Sequence, residues 1–129
     1  GLSKSIEAID NLIESLSFDQ NKKFIVGGFS QGAALSLSLL FKSRHKIDGC
    51  AALSGYMPSA NEFKGFPLKS NNIFIAHGYE DKAINYDDFK KTLAFLEAKT
   101  DNLTKHTGDF GHTITDEVSK GFIQWLQEI

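Results

Sequence analysis

The sequence has one cysteine, two prolines, one methionine and one tryptophan in 129 residues. A lone cysteine cannot form an internal bridge, so a disulfide-built scaffold is excluded. Cys50 lies in the apolar run Gly49–Leu53 and reads as a reduced core thiol. This favours a reducing compartment, although zero disulfides is also allowed outside one, and the cytoplasm is the expected location. Neither charge sign dominates: 14 basic and 16 acidic residues are mixed along the chain. The clustered cations of a nucleic-acid footprint are missing, so no nucleic-acid partner is expected. Long hydrophobic runs are missing too. The longest strongly apolar stretch, Ala33–Phe41, falls far short of the roughly 20 residues that span a bilayer. Gly1–Ser17 has no signal-peptide pattern. Repeats, low-complexity segments and internal linkers are also absent, so residues 1–129 read as a single domain.

What is present is an alternation of periods. Ser3–Leu16 is an expected amphipathic helix with Ser3 as its N-cap. Its inward face would be Ile6, Ile9, Leu12, Ile13 and Leu16. Lys23–Phe29 reads as a buried strand, and Gln31–Lys42 as a helix apolar nearly all round. Ile47–Leu53 is a second strand, Ser54–Ser70 a loop, and Asn72–Ala76 a third strand. Tyr86–Lys99 is a helix, Leu103–Thr107 a weaker strand, and Thr115–Glu128 a closing helix with Val118, Phe122, Trp125 and Leu126 inward. Strands alternating with helices predict an α/β fold: a parallel sheet with helices on both faces. Such sheets carry their chemistry at the carboxyl ends of the strands.

Gly28-Phe29-Ser30-Gln31-Gly32 joins a predicted strand to a predicted helix. A G-x-S-x-G in that setting is a nucleophile elbow, a tight turn that lifts the serine hydroxyl above the sheet. Cβ atoms two residues either side are expected to collide, which asks for small residues at Gly28 and Gly32. The Gln31 N–H opens the helix and points at a developing oxyanion. An elbow serine needs an acid and a histidine, in that chain order. Asp81 follows the third strand in His77-Gly78-Tyr79-Glu80-Asp81, with Glu80 as a competing neighbour. His112 follows the fourth strand in Asp109-Phe110-Gly111-His112. His45, His77 and His106 lie in a basic turn, at a strand end and within a strand; His77 is placed to shape the acid loop. Tyr56, Met57, Phe63, Phe66 and Phe110 sit in loops near the strand ends. They are candidates to line an acyl pocket, with loop packing as the plainer alternative.

Gly27–Ala34, Leu53–Pro58, His77–Asp81 and Gly111-His112 together resemble the carboxylesterase/phospholipase family of α/β-hydrolases, which includes acyl-protein thioesterases. The resemblance implies a Ser30–Asp81–His112 triad and an oxyanion donor at Gln31. It implies a small ester or acyl substrate, with no metal and no cofactor. One departure is Lys82-Ala83-Ile84-Asn85, where the family has a short apolar segment ending in proline. A larger one is at the front. Only 29 residues precede Ser30, and they read as one helix and one strand. The resemblance implies further strands there, with a loop giving a second oxyanion donor. Without them, strand 23–29 becomes an apolar edge. Three outcomes are open: the chain is the C-terminal part of a longer enzyme, two copies pair along this edge, or the chain is an inactive fragment or interaction module.

Overall fold

The computed structural model describes residues 2–58 and 60–129. Four parallel strands, β1 (Ile25–Phe29), β2 (Gly49–Leu53), β3 (Ile73–Gly78) and β4 (Leu103–Gly108), lie in the order β1-β2-β3-β4. Four helices accompany them: α1 (Leu2–Ser15), α2 (Gln31–Lys42), α3 (Tyr86–Glu97) and α4 (Asp116–Glu128). A short 3-10 turn, Ala60–Phe63, interrupts the long loop after β2.

The period-2 alternation of the strands separates two cores. Cys50, Ala52, Ile73 and Ile75 point to one face, where Leu37, Leu40 and Phe41 of α2 and Phe89 and Leu96 of α3 cover them. Ala51, Phe74 and Ala76 point to the other, covered by Val118 and Trp125 of α4. Monotone strand order follows from this. Successive right-handed crossovers that advance in one direction lie on one face, and α2, the 57–68 loop and α3 all pack there. The thiol of Cys50 is fully buried, and burial pushes its pKa up to about 12. It is a core side chain, as its apolar context predicts.

The amino-terminal region departs from the sequence reading. Ser3 lies inside α1 rather than capping it. Leu12 and Leu16 are 53% and 50% exposed, while Ile6 and Asp10 are buried. The helix is turned by a polar clasp. Asp10 Oδ1 accepts from the Ser43 hydroxyl at 2.5 Å, and Oδ2 accepts from the Arg44 N–H at 3.0 Å. These groups sit at the C-terminus of α2, so Asp10 pins α1 across it. Leu126 is similarly turned outward at 36% exposure. Asp10→Ala strands the buried Ser43 hydroxyl, and a loss of about 2–3 kcal/mol is expected in urea unfolding. β1 begins two residues later than predicted. Phe24 leaves the ladder because its N–H is taken by Asp48 Oδ2 at 2.7 Å.

β1 hydrogen-bonds only to β2 among the described residues, so its other edge is open. Phe29 on this strand is 39% exposed. Beside the amino end of β1 is a groove of about 380 Å³ that includes Ile13, Phe18, Phe24 and Ile25.

Candidate active site

Three loops at the carboxyl ends of β1, β3 and β4 bring Ser30, Asp81 and His112 together. Ser30 is the turn between β1 and α2, with φ 59° and ψ −115°. Its N–H donates to the Leu53 carbonyl at 2.8 Å, tying the turn to the end of β2. Serine is a preferred helix N-cap, yet the Ser30 side chain caps nothing. Its Oγ lies 3.0 Å from His112 Nε2. His112 Nδ1 lies 2.7 Å from Asp81 Oδ2. An ionised carboxylate only accepts, so Nδ1 carries the ring proton, and Nε2 is left to accept from the Ser30 hydroxyl. Phe29 packs on the His112 ring, with centroids 4.7 Å apart.

Asp81 is 5% exposed. Burial alone raises its pKa. The Ile84 N–H, the His112 ring and the Ala83 N–H outweigh that burial and hold the carboxyl below its ordinary range. Ala83 and Ile84 donate to Oδ1 at 2.9 and 2.8 Å, leaving Oδ2 for His112. Glu80, the competing carboxylate, is exposed, and its own N–H is bound to the Phe110 carbonyl. The unusual segment Lys82–Asn85 is accounted for as well. Its amides hold Asp81, and Asn85 caps α3 by accepting from the Asp88 N–H at 2.9 Å.

The two elbow glycines are not equivalent, which corrects the expectation that both must be small. A Cβ on Gly28 would lie 2.3 Å from the Gly32 carbonyl carbon and oxygen; one on Gly32 would meet nothing within 4 Å. Gly28→Ala is therefore expected to cost at least about 3 kcal/mol by forcing backbone apart. Gly32→Ala should be neutral or gain up to about 1 kcal/mol of helix propensity. Thermal unfolding of the pair checks both. Ser30→Gly belongs in the same series. A left-handed φ on a non-glycine residue costs about 1–3 kcal/mol, and the extra chain entropy of glycine offsets about 0.5–1 kcal/mol of the relief. That variant is expected to melt higher than the wild type.

Gln31 and Gly32 are the first residues of α2, where N–H groups have no carbonyl one turn back. Both line a groove of about 480 Å³ with Leu2, Ala34, Leu35 and Pro58. The loop residues expected to line a pocket lie elsewhere. Met57 is 4% exposed in the core, drawn in because its N–H donates to Thr92 Oγ1 at 2.9 Å. Phe63 is 3% exposed. Phe66 is on the surface beside Lys42. Phe110 packs against the α4-side core, and Tyr56 is half-buried. Sequence reading missed Asp10 and Thr92. Their signal is only that of a polar residue in a helix, common to many positions that do nothing. Among the described residues, no group of three or more His, Cys, Asp or Glu side chains is arranged to hold a metal ion. No helix among them is long and apolar enough to cross a membrane.

A parallel sheet with a serine elbow after one strand and an acid and a histidine after two later ones defines the α/β-hydrolase class. Solved structures agree with that fold. Zea mays acyl-protein thioesterase 2 superposes with a TM-score of 0.80 at 21% identity, over 98% of this chain and 64% of that one. The Bacillus cereus carboxylesterase superposes with a TM-score of 0.75 at 25% identity, over 99% and 60%. Within the class, the chain belongs to the phospholipase/carboxylesterase family, whose model matches residues 1–128. Acyl-protein thioesterase 1 of Candida albicans is 35% identical over 144 aligned residues, covering 100% of this chain and 61% of the relative. Its Yarrowia lipolytica counterpart is 30% identical, covering 99% and 60%. The chain thus spans about 60% of the length of these relatives.

Proposed function

We propose that this protein is a serine hydrolase that cleaves carboxylic esters or acyl thioesters through an acyl-enzyme. The hydrogen-bonded row Ser30 Oγ–His112 Nε2, His112 Nδ1–Asp81 Oδ2 carries this reading. Ser30 attacks the acyl carbonyl as His112 takes its proton. Asp81 holds the imidazole tautomer and stabilises the imidazolium. The Gln31 N–H donates to the oxyanion. His112 then protonates the leaving alcohol or thiol, and water activated by the same ring releases the acid. The groove along Gln31 and Gly32 is open to the acyl chain, and its apolar wall suits one.

The open edge of β1 supports a second element of the proposal. A further polypeptide segment pairs there and brings the second oxyanion donor. This favours a longer enzyme over a pair of identical chains, because the relatives extend well beyond the matched region. A fluorophosphonate probe tests the hydrolase reading. Labelling that disappears in Ser30→Ala is the expected result. A wild-type protein that never labels, with or without a partner segment, overturns it.

A further inference from the structure

Outside the three proposed catalytic side chains, the most unusual buried group is His77. It ends β3 just before the Asp81 loop and has no exposed surface. Its Nε2 lies 2.7 Å from the Ile84 carbonyl. A carbonyl only accepts, so Nε2 carries the proton. Nδ1 is buried with no hydrogen-bond partner. The ring is held flat against Phe89 of α3, with centroids 4.8 Å apart and 19° between planes. A leucine or phenylalanine would fill this space without stranding a polar nitrogen. The cost of the imidazole points to its other nitrogen.

That nitrogen grips the loop bearing the acid. The backbone of Ile84 is held on both sides: its N–H donates to Asp81 Oδ1 at 2.8 Å, and its carbonyl accepts from His77. His77 Nε2 also lies 3.4 Å from Asp81 Oδ2, the oxygen that His112 uses. The single Nε2–H is given to the Ile84 carbonyl, so this is a close approach and not a second hydrogen bond; His77 reaches the carboxylate through the loop whose amides bind Oδ1. We infer that His77 is a positioning residue for the hydrolase reaction: its Nε2–H locks the 81–84 loop, and the Ala83 and Ile84 amides of that loop hold the Asp81 carboxylate toward His112.

This inference rests on the proposed hydrolase activity, and its test separates the two. In the protein with any segment its activity requires, His77→Asn and His77→Gln are compared with the wild type. The glutamine amide reaches the Nε2 position and the asparagine amide does not. His77→Asn is expected to lower kcat about 10²-fold, the scale of a misplaced catalytic group, with KM unchanged. It should also remove the downfield His112 Nδ1 proton resonance. His77→Gln should restore most of both. A purely structural role would lower the melting temperature of both variants and leave kcat per labelled serine unchanged. Equal kcat in the two variants, or a retained His112 resonance in His77→Asn, overturns the inference. The proton resonance needs no turnover, so a positive result there with an unlabelled Ser30 would sink the hydrolase reading alone.

Discussion

Asp81→Asn is expected to lower kcat about 10⁴-fold while leaving the fold intact, the scale seen when a triad acid is neutralised without changing its shape. The geometry gives the reason. The asparagine carbonyl still accepts from the Ala83 and Ile84 N–H groups, as Asp81 Oδ1 does now. Its amide then faces His112 Nδ1 and donates to it. The ring proton moves to Nε2, and His112 can no longer accept from Ser30. Stability changes too, with a definite pH dependence. The folded Asp81 carboxyl titrates below its ordinary value of 3.8. Its contribution is fully present above that value and is lost as pH falls through the lowered pKa. Urea unfolding of wild type and Asp81→Asn should therefore differ at pH 6 and converge as pH drops below 4. Steady-state kinetics at pH 7 reads the rate effect. A variant within tenfold of the wild type would remove Asp81 from the mechanism.

The second large effect concerns the edge of β1. Loss of one oxyanion donor costs about 10²–10³ in turnover, and the proposed hole has one assigned donor, the Gln31 N–H at the start of α2. Fusing to this chain the segment by which the Candida albicans relative extends beyond the match is expected to raise kcat by about that factor. The gain should fall in kcat more than in KM, because an oxyanion donor acts in the transition state. Amide hydrogen exchange along Ile25–Phe29 should slow in the same fusion as the edge acquires partners. A fusion that unfolds cooperatively, protects β1 and shows no gain in kcat would separate strand pairing from catalysis and end the two-donor account.

The site was more legible in the sequence than its surroundings. Ser30, Asp81 and His112 each follow a strand, and strand ends were readable from short apolar runs such as Phe24-Ile25-Val26. Chain order did the rest. The amino-terminal helix is legible but its inward face is not, because Leu12 and Leu16 satisfy helical periodicity as well as Ile6 does, and nothing local reveals that Asp10 is drawn inward by Ser43 and Arg44. The lining of a pocket is hard to read from sequence for a related reason. A loop aromatic near a strand end looks the same in sequence whether it stays on the surface, like Phe66, or packs into the core, like Phe63. Met57 was settled by Thr92, 35 residues away, a partner that no local pattern names. Gly32 looked like a twin of Gly28, yet only the approach of the two backbones shows which needs to be bare.

The uncapped, left-handed serine that starts α2 places two demands on one position. Folding asks position 30 for a residue at ease with a positive φ, or one that satisfies the free amides of the helix. Chemistry asks for a hydroxyl held away from those amides and toward a ring on another loop. A population of variants screened for thermal survival alone therefore has an easy downhill route through the loss of its proposed nucleophile. Any attempt to harden this protein has to screen turnover and melting together, because at Ser30 the two point in opposite directions.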